Sequence, residues 1–166
     1  MGNGYEDIYF DNCPQVRYRV VLGARSTKKS TDICGYEPLL KIFSNPIRNV
    51  LILRLNDSDN GRSTFPLIEK CARRMGVYEQ LHFKNQIPRE VVYERTGQKI
   101  MFGGFNNASD LTSIQVPTGE LTDIYIEEAS QIDSIEDFQI LDGSIRAKLP
   151  VGVFLQITFL LNPWDI

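Results

Sequence analysis

The sequence predicts an α/β protein with a mostly parallel central sheet flanked by helices, and three observations predict it. Short apolar runs such as Val50 to Leu55 (VLILRL) carry hydrophobic residues toward both faces, as strands covered on both sides must. Stretches with helical spacing separate these runs. A Thr96-Gly97 turn between two short apolar runs adds a β-hairpin to the pattern.

In chain order, residues 1 to 17 read as an arm, with a turn at Asn12-Cys13-Pro14. Tyr18 to Leu22 is a short buried strand. A helix is expected from Ser30 to about Phe43, kinked or divided by Pro38, because proline lacks the N–H a helix interior needs. Asn45-Pro46 closes it, and Val50 to Leu55 follows as the second strand. The polar stretch Asn56 to Ser63 reads as a loop. Thr64 to Met75 is an amphipathic helix, with Gly76 as its stop. Glu90 to Tyr93 and Lys99 to Phe102 form the inserted hairpin. Residues 103 to 120, rich in Gly, Asn, Ser and Pro, read as a long functional loop. Leu121 to Ile126 is a third core strand, Glu136 to Lys148 a helix, and Val151 to Leu161 a fourth core strand ending at Asn162-Pro163.

The chain has 166 residues, enough for a real core, with 42% hydrophobic and 23% charged residues. A formal net charge of −3 excludes a global basic field for nucleic acid. Cys13, Cys34 and Cys71 have no zinc-like spacing and read as reduced thiols of a cytosolic protein. The N-terminus is acidic and aromatic, unlike a signal peptide, and no apolar run reaches the roughly 20 residues of a membrane span.

Three stretches carry chemistry. The first is GARSTKKST, residues 23 to 31, directly behind the first strand. A phosphate cradle needs a tight turn of backbone N–H groups, a lysine, and a hydroxyl opening a helix. Gly23 opens the turn, Lys29 would reach the β- and γ-phosphates, and Ser30 would hold Mg²⁺. Lys28 stands where the pattern wants a second glycine, so a basic solvated turn is the competing reading. The second is DIYIEEAS, residues 123 to 130, where Glu127 and Glu128 follow a buried strand. The C-terminal edge of a parallel sheet is where ligands bind. One acid there would order Mg²⁺ through water, and the other would polarise an attacking water. A glutamate-rich helix start is the alternative. The third is TFLLNP, residues 158 to 163, which brings Asn162 to the same edge, or is simply a turn.

Together these stretches resemble the ATPase part of a phage terminase large subunit, of the PBSX-like kind, from about Arg17 to Asp165. The resemblance rests on YRVVLGARSTKKS, VLILRLNDSDNGRSTFPLIEK, VVYERTGQKIMFGGFNNASDLTS, TGELTDIYIEEASQI and LLNPWD, in that order. It implies a P-loop NTPase fold of the additional-strand, catalytic-glutamate type over residues 18 to 166, incomplete at its C-terminal end. A fifth core strand and a nuclease domain would be missing, and a sheet edge would lie exposed. The family loop resembles Gly-Gly-Arg-Gly-Ser-Gly-Lys-Ser, on which Arg25, Lys29 and Ser30 fall, while Ala24, Ser26, Thr27 and Lys28 depart from it.

The resemblance also implies roles. Residues Gly23, Ala24, Arg25, Ser26, Thr27, Lys28, Lys29, Ser30 and Thr31 would bind ATP. Arg25 would stabilise the γ-phosphate, and Glu127 would support Mg²⁺ with Ser30. Glu128 would orient the water. Asn162 would couple hydrolysis to movement, with Thr158 as the nearest hydroxyl because Leu160 stands where a Thr is usual. Gln15 lies where such motors read adenine. Arg54 matches the family, with no role legible beyond a salt bridge. The partners implied are double-stranded DNA, a portal protein and a small terminase subunit, in a ring homo-oligomer in the host cytoplasm, with no membrane. Arg73, Arg74 and Lys84 are candidate DNA contacts or solvated surface. The competing functions are a nucleotide-binding module without turnover and another P-loop enzyme, such as a helicase-like ATPase or a small-molecule kinase.

Overall fold

The computed structural model describes residues 16–24, 27–105, 114–132, 134–145 and 148–162. Seven strands make one sheet in the order β1-β7-β6-β2-β5-β4-β3. They are β1 (Tyr18–Leu22), β2 (Arg48–Arg54), β3 (Leu81–Lys84), β4 (Glu90–Tyr93), β5 (Lys99–Gly104), β6 (Glu120–Ile126) and β7 (Gln156–Leu161). The helices are α1 (Glu37–Ser44), α2 (Asp57–Arg62), α3 (Thr64–Met75) and α4 (Ile135–Ser144). β1, β7, β6, β2 and β5 run parallel, and β4 and β3 add an antiparallel pair beyond β5.

Alternation along the strands builds two cores. Val50 and Ile52 of β2 face α1 and α3 with Ile33, Leu39, Phe65 and Ile68. Leu51 and Leu53 face α4 with Ile124, Ile126, Leu141 and Ile157. β2 is therefore buried on both faces, which explains its unbroken apolar run.

The expected first helix is one continuous element in two parts. A π-helical segment, Thr31–Tyr36, runs directly into α1. Pro38 follows directly on this segment, whose ladder closes with the Glu37 N–H on the Asp32 carbonyl five residues back, immediately before the residue that has no N–H to give. The expected division of the helix is thus a change of helical type at residue 37 rather than a gap. α3 has the expected bounds, and Gly76 ends it at φ 71°.

Four expectations are corrected. The polar stretch Asn56 to Ser63 is not a loop: residues 57 to 62 form α2. Asp57 and Asp59 complement its N-terminal charge. Its buried anchor is polar, since the Asn60 amide donates to the Gly103 carbonyl (2.8 Å) and accepts from Thr64 Oγ1 (2.7 Å). No apolar periodicity announces such a helix. The last strand begins at Gln156 rather than Val151, because Val151-Gly152 is an exposed turn with Gly152 at φ 85°. α4 is earlier and shorter than expected, since the Ser134 hydroxyl accepts from the Asp137 N–H (3.0 Å) and caps it one residue sooner. Finally, β5 is more than a hairpin arm. It pairs parallel with β2, so the sheet already has five parallel strands, with β1 at one edge.

Asn49 ties three strands together at the lower edge. Its amide donates to the carbonyls of Thr118 (2.7 Å) and Glu120 (3.2 Å), and its oxygen accepts from the Lys99 N–H (2.7 Å). The β2–β6 register shifts between Asn49 and Val50. Gly119 lies beside this point at φ 74°, and a Cβ there would stand 2.3 Å from the Ile47 carbonyl oxygen. That carbonyl accepts the Glu120 N–H (2.7 Å). Gly119→Ala should cost about 3 kcal/mol in urea unfolding, through both backbone strain and displacement of that bond. Gly76→Ala, with the same sign of φ but open space around it, should cost only about 1 kcal/mol. Equal losses would show that φ alone decides both.

Candidate functional site

Four adjacent parallel strands end at one edge, and each delivers a polar residue there. β1 leads into Gly23, whose N–H donates to the Leu161 carbonyl (3.2 Å). β7 ends at Asn162, β6 at Glu127 and Glu128, and β2 at Arg54. A cleft of about 410 Å³ opens between them, lined by Ala24, Lys28, Lys29, Ser30, Thr31, Glu127, Glu128, Leu160 and Asn162. That size suits a nucleotide-scale ligand. Arg25 and Ser26 lie outside the described residues, as does Gln15.

Lys29 opens the helical stretch behind the loop and is buried. Its ammonium donates to the Leu161 carbonyl and to Asn162 Oδ1 (3.1 Å), 133 positions along the chain. The loop lysine and the end of β7 are thus in direct contact. Lys28, just before it, has φ 64°. That left-handed conformation costs an ordinary L-residue roughly 1–2 kcal/mol. The backbone at Lys28 therefore takes the left-handed turn that a glycine there would take without strain. The Lys28 carbonyl still accepts the Asp32 N–H (2.9 Å) that starts the helix.

Opposite the loop, Glu127 is buried, and its N–H donates to the Leu53 carbonyl (2.9 Å). Glu128 stands at φ 55°, the other non-glycine residue found with positive φ among the described residues. Arg54 explains how these adjacent acids coexist. Its guanidinium reaches Glu127 Oε2 (3.4 Å) with one arm and Glu128 Oε2 with the other, and it also donates to the Ser63 hydroxyl (2.6 Å). Gln131 adds a donor to the same Glu128 oxygen (3.0 Å). Sequence reasoning had no role for Arg54 and did not single out Gln131. The visible signal was an arginine directly behind the apolar run of residues 50–53.

Thr158 lies lower in β7, buried, where it accepts from Arg19 Nε (3.1 Å) and does not line the cleft. It belongs to a charge network beneath the cleft. Arg19 pairs with Glu37 (2.8 Å), Lys41 with Asp123 (3.0 Å), and Arg48 with Asp123 (2.9 Å). Burial pushes the Glu37 carboxyl up, with Arg19 and Lys41 pulling the other way. Burial also pushes the Tyr125 phenol and the Cys34 thiol well above their ordinary values, so both stay protonated. Two of the three candidate DNA contacts are engaged within the chain: Arg73 pairs with Glu69 and lies 3.5 Å from the Tyr78 ring centroid, and Lys84 approaches Glu90 (3.9 Å).

The donors facing the cleft fit a magnesium ion held chiefly by phosphate and water. They are the Ser30 hydroxyl and the Glu127 carboxylate, with no cluster of three or more metal-ligating side chains among the described residues.

Residues 15–166 match the family model described as phage terminase large subunit. The chain belongs to that family. The terminase large subunit of Bacillus phage SPP1 is 26% identical over 145 residues, covering 87% of this chain and 34% of that protein. This terminase chain therefore spans about a third of the curated relative it matches. Its fold is that of solved terminase ATPase domains. A mutant ATPase domain of the Thermus phage P74-26 large terminase superposes with TM-score 0.61 at 14% identity, covering 87% of this chain and 59% of that one. The large terminase of a thermophilic bacteriophage, solved in complex with ADP, superposes with TM-score 0.60 at 9% identity, covering 87% and 33%.

The Arg54 clamp makes a stability prediction for this terminase chain. Arg54→Met strands the buried Glu127 carboxylate and leaves the half-exposed Glu128 to solvent, and should cost about 2 kcal/mol in urea unfolding at neutral pH, nearly all of it through Glu127. Adding Glu127→Gln should recover part of that loss. A loss below about 0.5 kcal/mol would mean that the pairs are screened by solvent.

Proposed function

We propose that the chain is the ATP-hydrolysing part of a terminase large subunit, which drives double-stranded DNA into a procapsid. The observation that carries the reading is the meeting of Lys29, Ser30, Glu127, Glu128 and Asn162 around one cleft at the carboxyl edge of a parallel sheet. A relative solved with ADP supports a nucleotide as the occupant.

In this reading Lys29 exchanges its contacts with Leu161 and Asn162 for the β- and γ-phosphates of ATP. Backbone N–H groups of the Gly23–Thr31 loop cradle the phosphates. Ser30 and, through water, Glu127 hold Mg²⁺, which neutralises phosphate charge when bound. Glu128 orients the attacking water for in-line displacement at the γ-phosphate, and Arg25 stabilises the charge that develops. Release of Asn162 by Lys29 gives β7 a way to register the nucleotide, which is the coupling role. In the complete motor this domain, residues 18 to 166 behind an arm of residues 1 to 17, would work in a homo-oligomeric ring. Its partners would be a portal protein and a small terminase subunit, in the host cytoplasm.

The second reading is a nucleotide-binding module without turnover. One observation favours it: Arg54 and Gln131 both hold the same oxygen of Glu128. Phosphate release and Mg-ATP titration separate the two. Lys29→Ala should lose affinity by roughly 100-fold, while Glu128→Gln should bind normally and hydrolyse roughly 100- to 1,000-fold more slowly. Tight binding by the wild type with no turnover above Glu128→Gln, in the full-length protein as well, would establish the module instead.

A further inference from the structure

Lys28 is the one loop residue that departs from the expected glycine in both size and charge, and the cleft shows what it is free to do. Among the described residues, each of the other charged groups lining the cleft is already engaged. Glu127 and Glu128 share Arg54. The Lys29 ammonium is held by Leu161 and Asn162. Lys28 is exposed, lines the same cleft, and makes no ion pair or side-chain hydrogen bond found among the described residues.

The backbone gives a second, independent observation. At φ 64°, glycine would be the unstrained choice. Asparagine would be the next best tolerated. A lysine held there keeps a standing strain at a functional edge, the circumstance in which strain points to a role for the side chain.

We propose that Lys28 is a second phosphate-binding cation of this site, contacting the polyphosphate of the bound nucleotide beside Lys29. This rests on the nucleotide-site reading given above. The chemistry is that of a flexible ammonium meeting a polyanion. Lysine serves as a point charge on a long stem, so it can follow the phosphates without fixed geometry. An exposed cation of this kind adds affinity that falls with salt, because its attraction is screened within about a Debye length. The loop thus exchanges the ease of glycine for an added charge.

Strain and charge can be pulled apart by substitution. Lys28→Gly removes both, Lys28→Asn removes the charge and most of the strain, and Lys28→Arg keeps the charge. The probe is a fluorescent Mg-ATP analogue titrated against the full chain at low and high salt, with thermal unfolding of the ligand-free protein alongside. Lys28→Gly and Lys28→Asn should unfold at the same temperature as the wild type or higher, yet bind roughly five- to tenfold more weakly at low salt. Their affinity should also depend less on salt. Lys28→Arg should bind within about twofold of the wild type. Unchanged or tighter binding by Lys28→Gly would overturn the proposal while leaving the nucleotide site standing. Absence of binding by the wild type itself at millimolar Mg-ATP would overturn both.

Discussion

Parallel pairing in the order β1-β7-β6-β2 is the constraint on which the site depends. Each of these strands delivers a polar residue where it stops, at or just beyond its last residue. Because all four run the same way, their ends share one edge, and residues distant in sequence become neighbours. Lys29 meets Asn162 across 133 positions, and Arg54 meets Glu128 across 74. The paired cores on the two faces hold the strands in place, so the position of each polar end follows from hydrophobic packing beneath it. The site is a by-product of where the parallel strands terminate, including the largely exposed edge strand β1.

A second layer of charge lies under the first. Arg19, Glu37, Lys41, Asp123 and Arg48 link β1, α1, β6 and β2 through buried or half-buried pairs. Such pairs contribute little net stability, since desolvation offsets most of their attraction. They do fix direction. α1 continues the helical stretch that begins at Lys29, and Glu37 and Lys41 bind it to the strands on either side of the cleft's floor. A shift of the loop helix would therefore have to be shared with β1 and β6. The upper cluster, Arg54 with Glu127 and Glu128, differs in kind, because its two carboxylates line a cleft where a charged ligand can compete with the arginine for them.

Most of the fold was legible because its signals were local. The apolar run of β2, the spacing within α3 and the Gly76 stop each follow from residues within one element. The paired acids and the loop lysine were legible for the same reason: each sits at the end of a run whose type was plain. What escaped was non-local. α2 is anchored by Asn60 reaching Gly103, a contact invisible without the sheet. β5 looks like a hairpin arm in sequence, and only its second neighbour, β2, makes it a core strand. Arg54 had no role because its role is defined by β6. Pro38 was expected to kink or divide its helix, and the π-helical segment before it carries the helical stretch up to the proline without a gap.

Asn49 sits at the far end of the strands from the cleft, yet it acts as the zero mark of a ruler. One buried amide fixes where β2 stands against both β5 and β6, and the offset between Asn49 and Val50 is made there once. Every residue above inherits that setting, including the alignment that brings Arg54 to Glu127. Alternation in strands has a period of two, so an error of one residue at the mark would exchange the two faces and point the clamp arginine to the wrong layer. The accuracy of a charged contact at the top of the sheet is thus set by an uncharged side chain at the bottom.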